Sequence, residues 1–242
     1  MQIAHDDSHR IVLLFRSICE NPRLISHVQR LRVTAKLDKP TNSLGIYSKT
    51  HTISQSDFQL FQDTITADLS DFPHLQKLER SFGAGSVDAL LAVLLSRLNN
   101  LRALEFHYSK ILRLQLTGCL LKHYKSDFTR MHEFSVWIED REMAPDSLKW
   151  DFDYGRTRDL LTFPFVIPTM KTIEIALPSV RKGFPSGLMV VPLPFPKAIG
   201  MVDLWYLRTL RLLDSQATVG TVGLILKHTP NLEILEYNFI QE

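Results

Sequence analysis

Few groups in this 242-residue chain combine residue types and spacings that could do chemistry. Gly83-Ala-Gly-Ser-Val-Asp88 opens like a dinucleotide-binding loop, in which glycines let the backbone approach a pyrophosphate. Its sixth place is Asp88 rather than Gly, so it reads as a turn with Ser86 capping a helix. Asp151-Phe-Asp153-Tyr-Gly155 carries the carboxylate alternation of a calcium loop. There the Gly falls one place early, and Thr162 stands at the twelfth place, where a bidentate Glu is needed. His5-Asp6-Asp7-Ser8-His9 offers ligands for a weak metal site within residues 1–10, a stretch that reads as a flexible tail. No phosphate-binding Gly-x-x-x-x-Gly-Lys-Ser/Thr and no His-Glu-x-x-His occur. The nine histidines are dispersed, and no Ser/His/Asp or Cys/His set assembles from spacing. The expectation is a non-enzyme with no catalytic residue, cofactor or metal. A hydrolase with a site in a groove under Pro178–Gly200 is the remote alternative.

The elements that would carry any surface are easier to read. A phrase of the form apolar-x-x-apolar-x-apolar returns along the chain: Val28/Leu31/Val33, Leu101/Leu104/Phe106, Met131/Phe134/Val136, Met170/Ile173/Ile175, Leu207/Leu210/Leu212 and Leu232/Leu235/Tyr237. A degenerate copy sits at Leu75/Leu78, with Arg80 in the third place. Helical apolar spacing precedes several of these phrases, over 11–20, 86–98, 111–124 and 218–228. Thr229-Pro230-Asn231 breaks the last of these helices, because Pro cannot continue it. Gly220 and Gly223 inside that helix read as points of close packing. The repeating unit is helix, turn, strand, which predicts an α/β fold: an irregular leucine-rich-repeat solenoid of about seven units. Parallel strands would line one face and helices the other. Residues 11–242 read as one domain, with insertions near 36–56 and 178–200. The second insertion includes Pro192-Leu-Pro-Phe-Pro196, which should be extended and stiff.

Side chains alternate across a strand, so the second and third apolar residues of each phrase face the core and their neighbours face out. The outward residues form three rows. The central row is Arg32, Glu79, Glu105, Ser135, Glu174, Arg211 and Glu236. The row before it is Arg30, Lys77, Ala103, Glu133, Thr172, Thr209 and Ile234. The row after it is Thr34, Ser81, His107, Trp137, Ala176, Leu213 and Asn238. Glu174, Arg211 and Glu236 alternate in sign as cross-strand neighbours. They read either as a solvated charge ladder or as a stripe matching a charged partner. Trp137, flanked in its row by His107 and Leu213, reads either as a contact residue or as a side chain covered by a neighbouring loop.

Lys plus Arg number 28 against 26 Asp plus Glu, a formal net charge of +2 with the basic residues scattered along the chain. That balance makes no electrostatic case for a nucleic-acid or membrane partner. Cys19 and Cys119 sit in apolar helical stretches and read as buried reduced thiols. The N-terminus has no signal-peptide pattern, and no apolar run approaches membrane-spanning length. A cytoplasmic or nuclear setting is the expectation.

Three phrases, taken together, resemble a family. Leu14-Phe-Arg-Ser-Ile-Cys-Glu-Asn-Pro-Arg-Leu-Ile-Ser-His-Val-Gln-Arg-Leu-Arg-Val33 is similar to the opening repeat of fungal F-box/leucine-rich-repeat-like proteins. Ser86 to Phe106, ending Leu98-Asn-Asn-Leu-Arg-Ala-Leu-Glu-Phe106, and Leu207 to Tyr237 resemble their later repeats. The resemblance implies a repeat domain that binds a protein target on its strand face. It also implies an N-terminal F-box that docks on a Skp-type adaptor of a cullin ubiquitin ligase. No F-box pattern is legible before Ile11, so the adaptor and cullin are expected only where an F-box is supplied. A stand-alone scaffold or decoy binder is the alternative. The family has no catalytic residues to carry over.

Overall fold

The computed structural model describes residues 2–4, 8–35, 54–84, 86–108, 114–138, 154–176, 202–213 and 219–237. The elements run β1 (Gln2–Ala4), α1 (Ser8–Glu20), α2 (Arg23–His27), β2 (Arg30–Ala35), α3 (Gln55–Asp68), α4 (Leu75–Gly83), α5 (Val87–Arg97) and β3 (Ala103–Tyr108). They continue with α6 (Gln115–His123), β4 (Glu133–Ile138), α7 (Tyr154–Thr162), β5 (Thr172–Ala176), β6 (Thr209–Leu213), α8 (Val219–Lys227) and β7 (Ile234–Tyr237). The six strands β2 to β7 form an all-parallel sheet in chain order, and the three-residue β1 adds to its β2 edge. Residues 2–4, which the sequence places in a tail, thus contribute a strand.

Parallel neighbours need a crossover, and crossovers of one hand in unbroken strand order return along the same side of the sheet. Burial follows that rule. Leu31, Val33, Leu104, Phe106, Phe134, Val136, Ile173, Ile175, Leu210 and Leu212 are all buried. The residues alternating with them are mostly half-exposed. The core lies between this row and the helices. Its N-terminal part is aromatic: Phe15 stacks on Phe61 at 3.9 Å between centroids, and Phe61 on Phe82 at 5.1 Å. α5 is buried along its whole apolar length because α1, α3, α4 and α6 surround it. At the C-terminal edge, β7 is the last strand of the sheet and leaves Ile234 and Leu235 exposed.

One expected strand is a helix. Leu75, Leu78 and Phe82 fall at i, i+3 and i+7, and in α4 Leu78 and Phe82 are buried while Arg80 is exposed. A third strand-facing apolar residue is missing there, and the helical period wins. Lys77, Glu79 and Ser81 therefore leave the sheet rows, and β2 pairs directly with β3 through a long crossover carrying α3, α4 and α5.

Two helix contacts differ from the expectation of the sequence. Gly223 has no atom near the place a Cβ would occupy, so it does not mark close packing. The close approach lies at Gly118 of α6, where a Cβ would stand 2.5 Å from the backbone nitrogen of Leu160 in α7. Ser86 does sit at the N-cap of α5, but its side chain makes no capping bond. Instead Asp88 reaches across to the next helix. Its carboxylate accepts hydrogen bonds from the N–H of Leu116 (2.8 Å) and of Thr117 (2.9 Å), satisfying donors in the first turn of α6. The Thr117 hydroxyl donates back to the Asp88 carbonyl at 3.2 Å. Burial nevertheless outweighs these bonds and raises the Asp88 carboxyl to about 6.

Candidate functional site: the open face of the sheet

The strand register sets the three outward rows. Arg32, Glu105, Ser135, Glu174, Arg211 and Glu236 stand side by side across β2 to β7. Arg30, Ala103, Glu133, Thr172, Thr209 and Ile234 form the row before them, and Thr34, His107, Trp137, Ala176 and Leu213 the row after. All seven residues singled out as partner-binding candidates (Trp137, His107, Leu213, Glu105, Glu174, Arg211 and Glu236) lie on this one face. Asn238, assigned to the third row, lies outside the described residues.

Strand pairing turns the central row into an ion-pair network. Arg211 reaches Glu174 at 2.5 Å and Glu236 at 3.0 Å, the alternation expected from sequence. The hydrogen bond to Glu174, joined by the charges of both carboxylates, holds the Arg211 guanidinium further toward its protonated form. A second cluster on β2 to β4 was not foreseen. Glu105 accepts from Arg32 Nε at 2.6 Å, lies 3.3 Å from Arg30 and 3.6 Å from His107, and is only 7% exposed. Arg30 also pairs with Glu133 at 2.5 Å. The reading of Leu75–Ser81 as a strand hid this cluster by inserting Lys77 and Glu79 between β2 and β3. The helical spacing of Leu75, Leu78 and Phe82 was the signal that could have removed it.

The third row is less polar. The His107 ring stacks on the Trp137 indole, with centroids 6.2 Å apart and planes 18° from parallel. Trp137 is half-buried, and Ala176 separates it from Leu213. On the central row the ionisable groups are paired with one another.

The chemistry-bearing motifs do not converge here. Asp88 is used as a helix cap. Asp151 to Asp153, His5 to Asp7 and the stretch 178–200, including the groove suggested for a hydrolase, lie outside the described residues. Among the described residues no group of three or more His, Cys, Asp or Glu side chains could hold a metal ion. Cys19 and Cys119 are free and half-buried rather than fully buried. Burial, reinforced by Asp159, pushes the Cys119 thiol up to about 12, far from a reactive thiolate. No helix among the described residues is long and apolar enough to cross a membrane.

Comparison with protein-family models, with curated proteins and with solved structures finds no match to this chain.

Proposed function

We propose that this chain is an irregular leucine-rich-repeat solenoid that recognises another protein through the open face of its sheet. The observation that carries the reading is the sheet itself: parallel, in unbroken chain order, cored on one side and, among the described residues, covered by no helix on the other. Parallel sheets are ordinarily covered on both faces, and a bare one is the mark of stacked repeats that present a binding surface. The recurring apolar phrase supports the same reading from sequence. Trp137, stacked on His107 with Ala176 on its other side, is the anchor; Glu105, Glu174, Arg211 and Glu236 make the polar surround. The resemblance to F-box/leucine-rich-repeat-like proteins extends this to target recognition for a cullin-type ubiquitin ligase. A scaffold or decoy without ligase coupling is the alternative.

Site-specific photocrosslinking tests the reading. A photoreactive phenylalanine analogue at Ser135, on the bare face, should trap a protein adduct in native extract, and the same group at Gln62, exposed on α3, should not. Trp137→Ala should abolish the Ser135 adduct while moving the thermal midpoint by no more than about 3 °C, since a stacked pair contributes about 1 kcal/mol. Equal adducts from both positions, or an adduct from Gln62 alone, would defeat the proposal. A Skp-type adaptor and a cullin co-purifying with the Ser135 adduct would favour ligase coupling; an adduct without them would favour the scaffold.

A further inference from the structure

The arginines of the bare face are all paired with glutamates. The rim at the N-terminal ends of the strands is different. Gln29, Arg102, His132, Lys171, Arg208 and Glu233 each stand one residue before a strand, in successive strands of the sheet. A regular backbone ladder holds them in line. The carbonyl of Gln29 accepts the N–H groups of Arg102 and Ala103, and that of Arg102 those of His132 and Glu133. The carbonyl of His132 accepts from Lys171 and Thr172, that of Lys171 from Arg208 and Thr209, and that of Arg208 from Glu233 and Ile234. Residues scattered along the chain thereby become a row with a strand-to-strand spacing of about 4.8 Å, about 14 Å from Arg102 to Arg208.

Among the described residues this row is mostly basic, with Glu233 as its one carboxylate. Arg102, Lys171 and Arg208 are exposed, as is Arg130 in the turn before β4. Among the described residues Arg102 and Lys171 have no carboxylate partner, and Arg130 donates to the amide oxygen of Asn100 at 2.7 Å. Arg208 alone is paired, with Glu233 at 3.0 Å. At the same rim, in the turn entering Leu207, Trp205 and Tyr206 stand 58% and 59% exposed. The Asn231 side-chain amide donates to the Trp205 carbonyl at 2.9 Å and pins that turn. Exposed cations on a fixed backbone row, with two exposed aromatics at the same rim, offer a surface for an anionic ligand with an apolar group.

We infer that this rim docks an acidic, extended protein segment, its carboxylates on Arg102, Arg130 and Lys171 and an apolar side chain on Trp205 and Tyr206. In an extended segment alternate carboxylates recur about every 7 Å on one side, and the long Arg102 and Lys171 side chains, rooted about 10 Å apart, can lean inward to meet two of them. A single-stranded nucleic acid would want a longer basic track with aromatics interleaved along it. Here the cations are few, and the aromatics sit together at one end. The inference is independent of the bare face.

The test uses the full chain and fluorescence anisotropy at low salt. The probes are a labelled peptide alternating Glu with Ser around one Phe, its Gln-for-Glu counterpart, and an oligouridylate of equal length. The Glu peptide should bind about tenfold or more tightly than the Gln peptide and weaken as salt is raised. Arg102→Glu with Lys171→Glu should lower its affinity about tenfold or more at unchanged thermal midpoint, and the milder Lys171→Gln about threefold. Arg80→Glu, exposed on α4, should leave it unchanged. Equal binding of the two peptides, indifference to the rim variants, or tighter binding of oligouridylate would each overturn the inference.

Discussion

Gly118→Ala isolates how closely two neighbouring helices meet. The added Cβ would stand 2.5 Å from the backbone nitrogen of Leu160, and 3.1 Å from both the carbonyl carbon of Asp159 and the Cα of Leu160. All three are backbone atoms, so no side chain can swing aside. Ordinary contact lies beyond 3.4 Å, so α6 and α7 must part by about 1 Å. Overpacking of this kind costs about 1–3 kcal/mol, and more where backbone must move. The better helix propensity of Ala returns at most about 1 kcal/mol. The separation also disturbs the Lys122–Asp159 ion pair (2.8 Å) that ties the same two helices. The net expectation is a loss of about 2 kcal/mol, which for a chain of this size lowers the thermal midpoint by about 4–8 °C. Gly223→Ala supplies the opposite sign: exposed on α8 with nothing near its Cβ position, it should be neutral or stabilising by up to about 1 kcal/mol. Paired thermal melts of the two variants make the comparison. A Gly118→Ala protein as stable as the parent would refute the close approach of α6 to α7.

Further outcomes follow from three ionisable groups. Asp88 has a folded value near 6 against 3.8 when free, so the folded state holds its proton more tightly. Its favourable contribution is complete below about pH 4 and lost as pH rises to about 6, up to about 3 kcal/mol in all. The stability difference between the parent and Asp88→Asn, from urea titrations at several pH values, should therefore change across that window and be flat above it; a flat difference throughout would contradict the burial argument. Glu105→Gln removes the anion shared by Arg30 and Arg32 and should cost about 1 kcal/mol, because both guanidiniums keep solvent. Half of that effect should vanish in high salt, and a salt-independent loss would mean Glu105 acts by packing instead. Cys119 should resist thiol reagents at pH 8 until the protein is denatured; rapid labelling of the native chain at this position would show its thiolate to be accessible.

The local periods carried most of what could be read early. Leu31 and Val33, Phe134 and Val136, and Ile173 and Ile175 face the core because side chains in a strand alternate, and no tertiary information is needed to say so. The same alternation placed Trp137, His107 and Leu213 in one outward row, and placed Glu174, Arg211 and Glu236 in another. It failed at Leu75, whose spacing fits a strand through Leu78 and a helix through Phe82. The choice there depends on what the buried side meets.

What remained belonged to the tertiary structure. Which strand lies beside which is decided by packing, and only the pairing of β2 with β3 brings Glu105 between Arg30, Arg32 and His107. Gly118 has nothing in its sequence surroundings to mark it until α7 is laid against it, while Gly223, one of the two glycines expected to pack closely, faces open space. The basic residues were scattered in sequence, yet strand stacking lines up Arg102, Lys171 and Arg208 at a single rim. Periodicity is a property of neighbours along the chain and is legible there. Contact between elements depends on chain segments dozens of residues apart, and the folded arrangement alone brings them together.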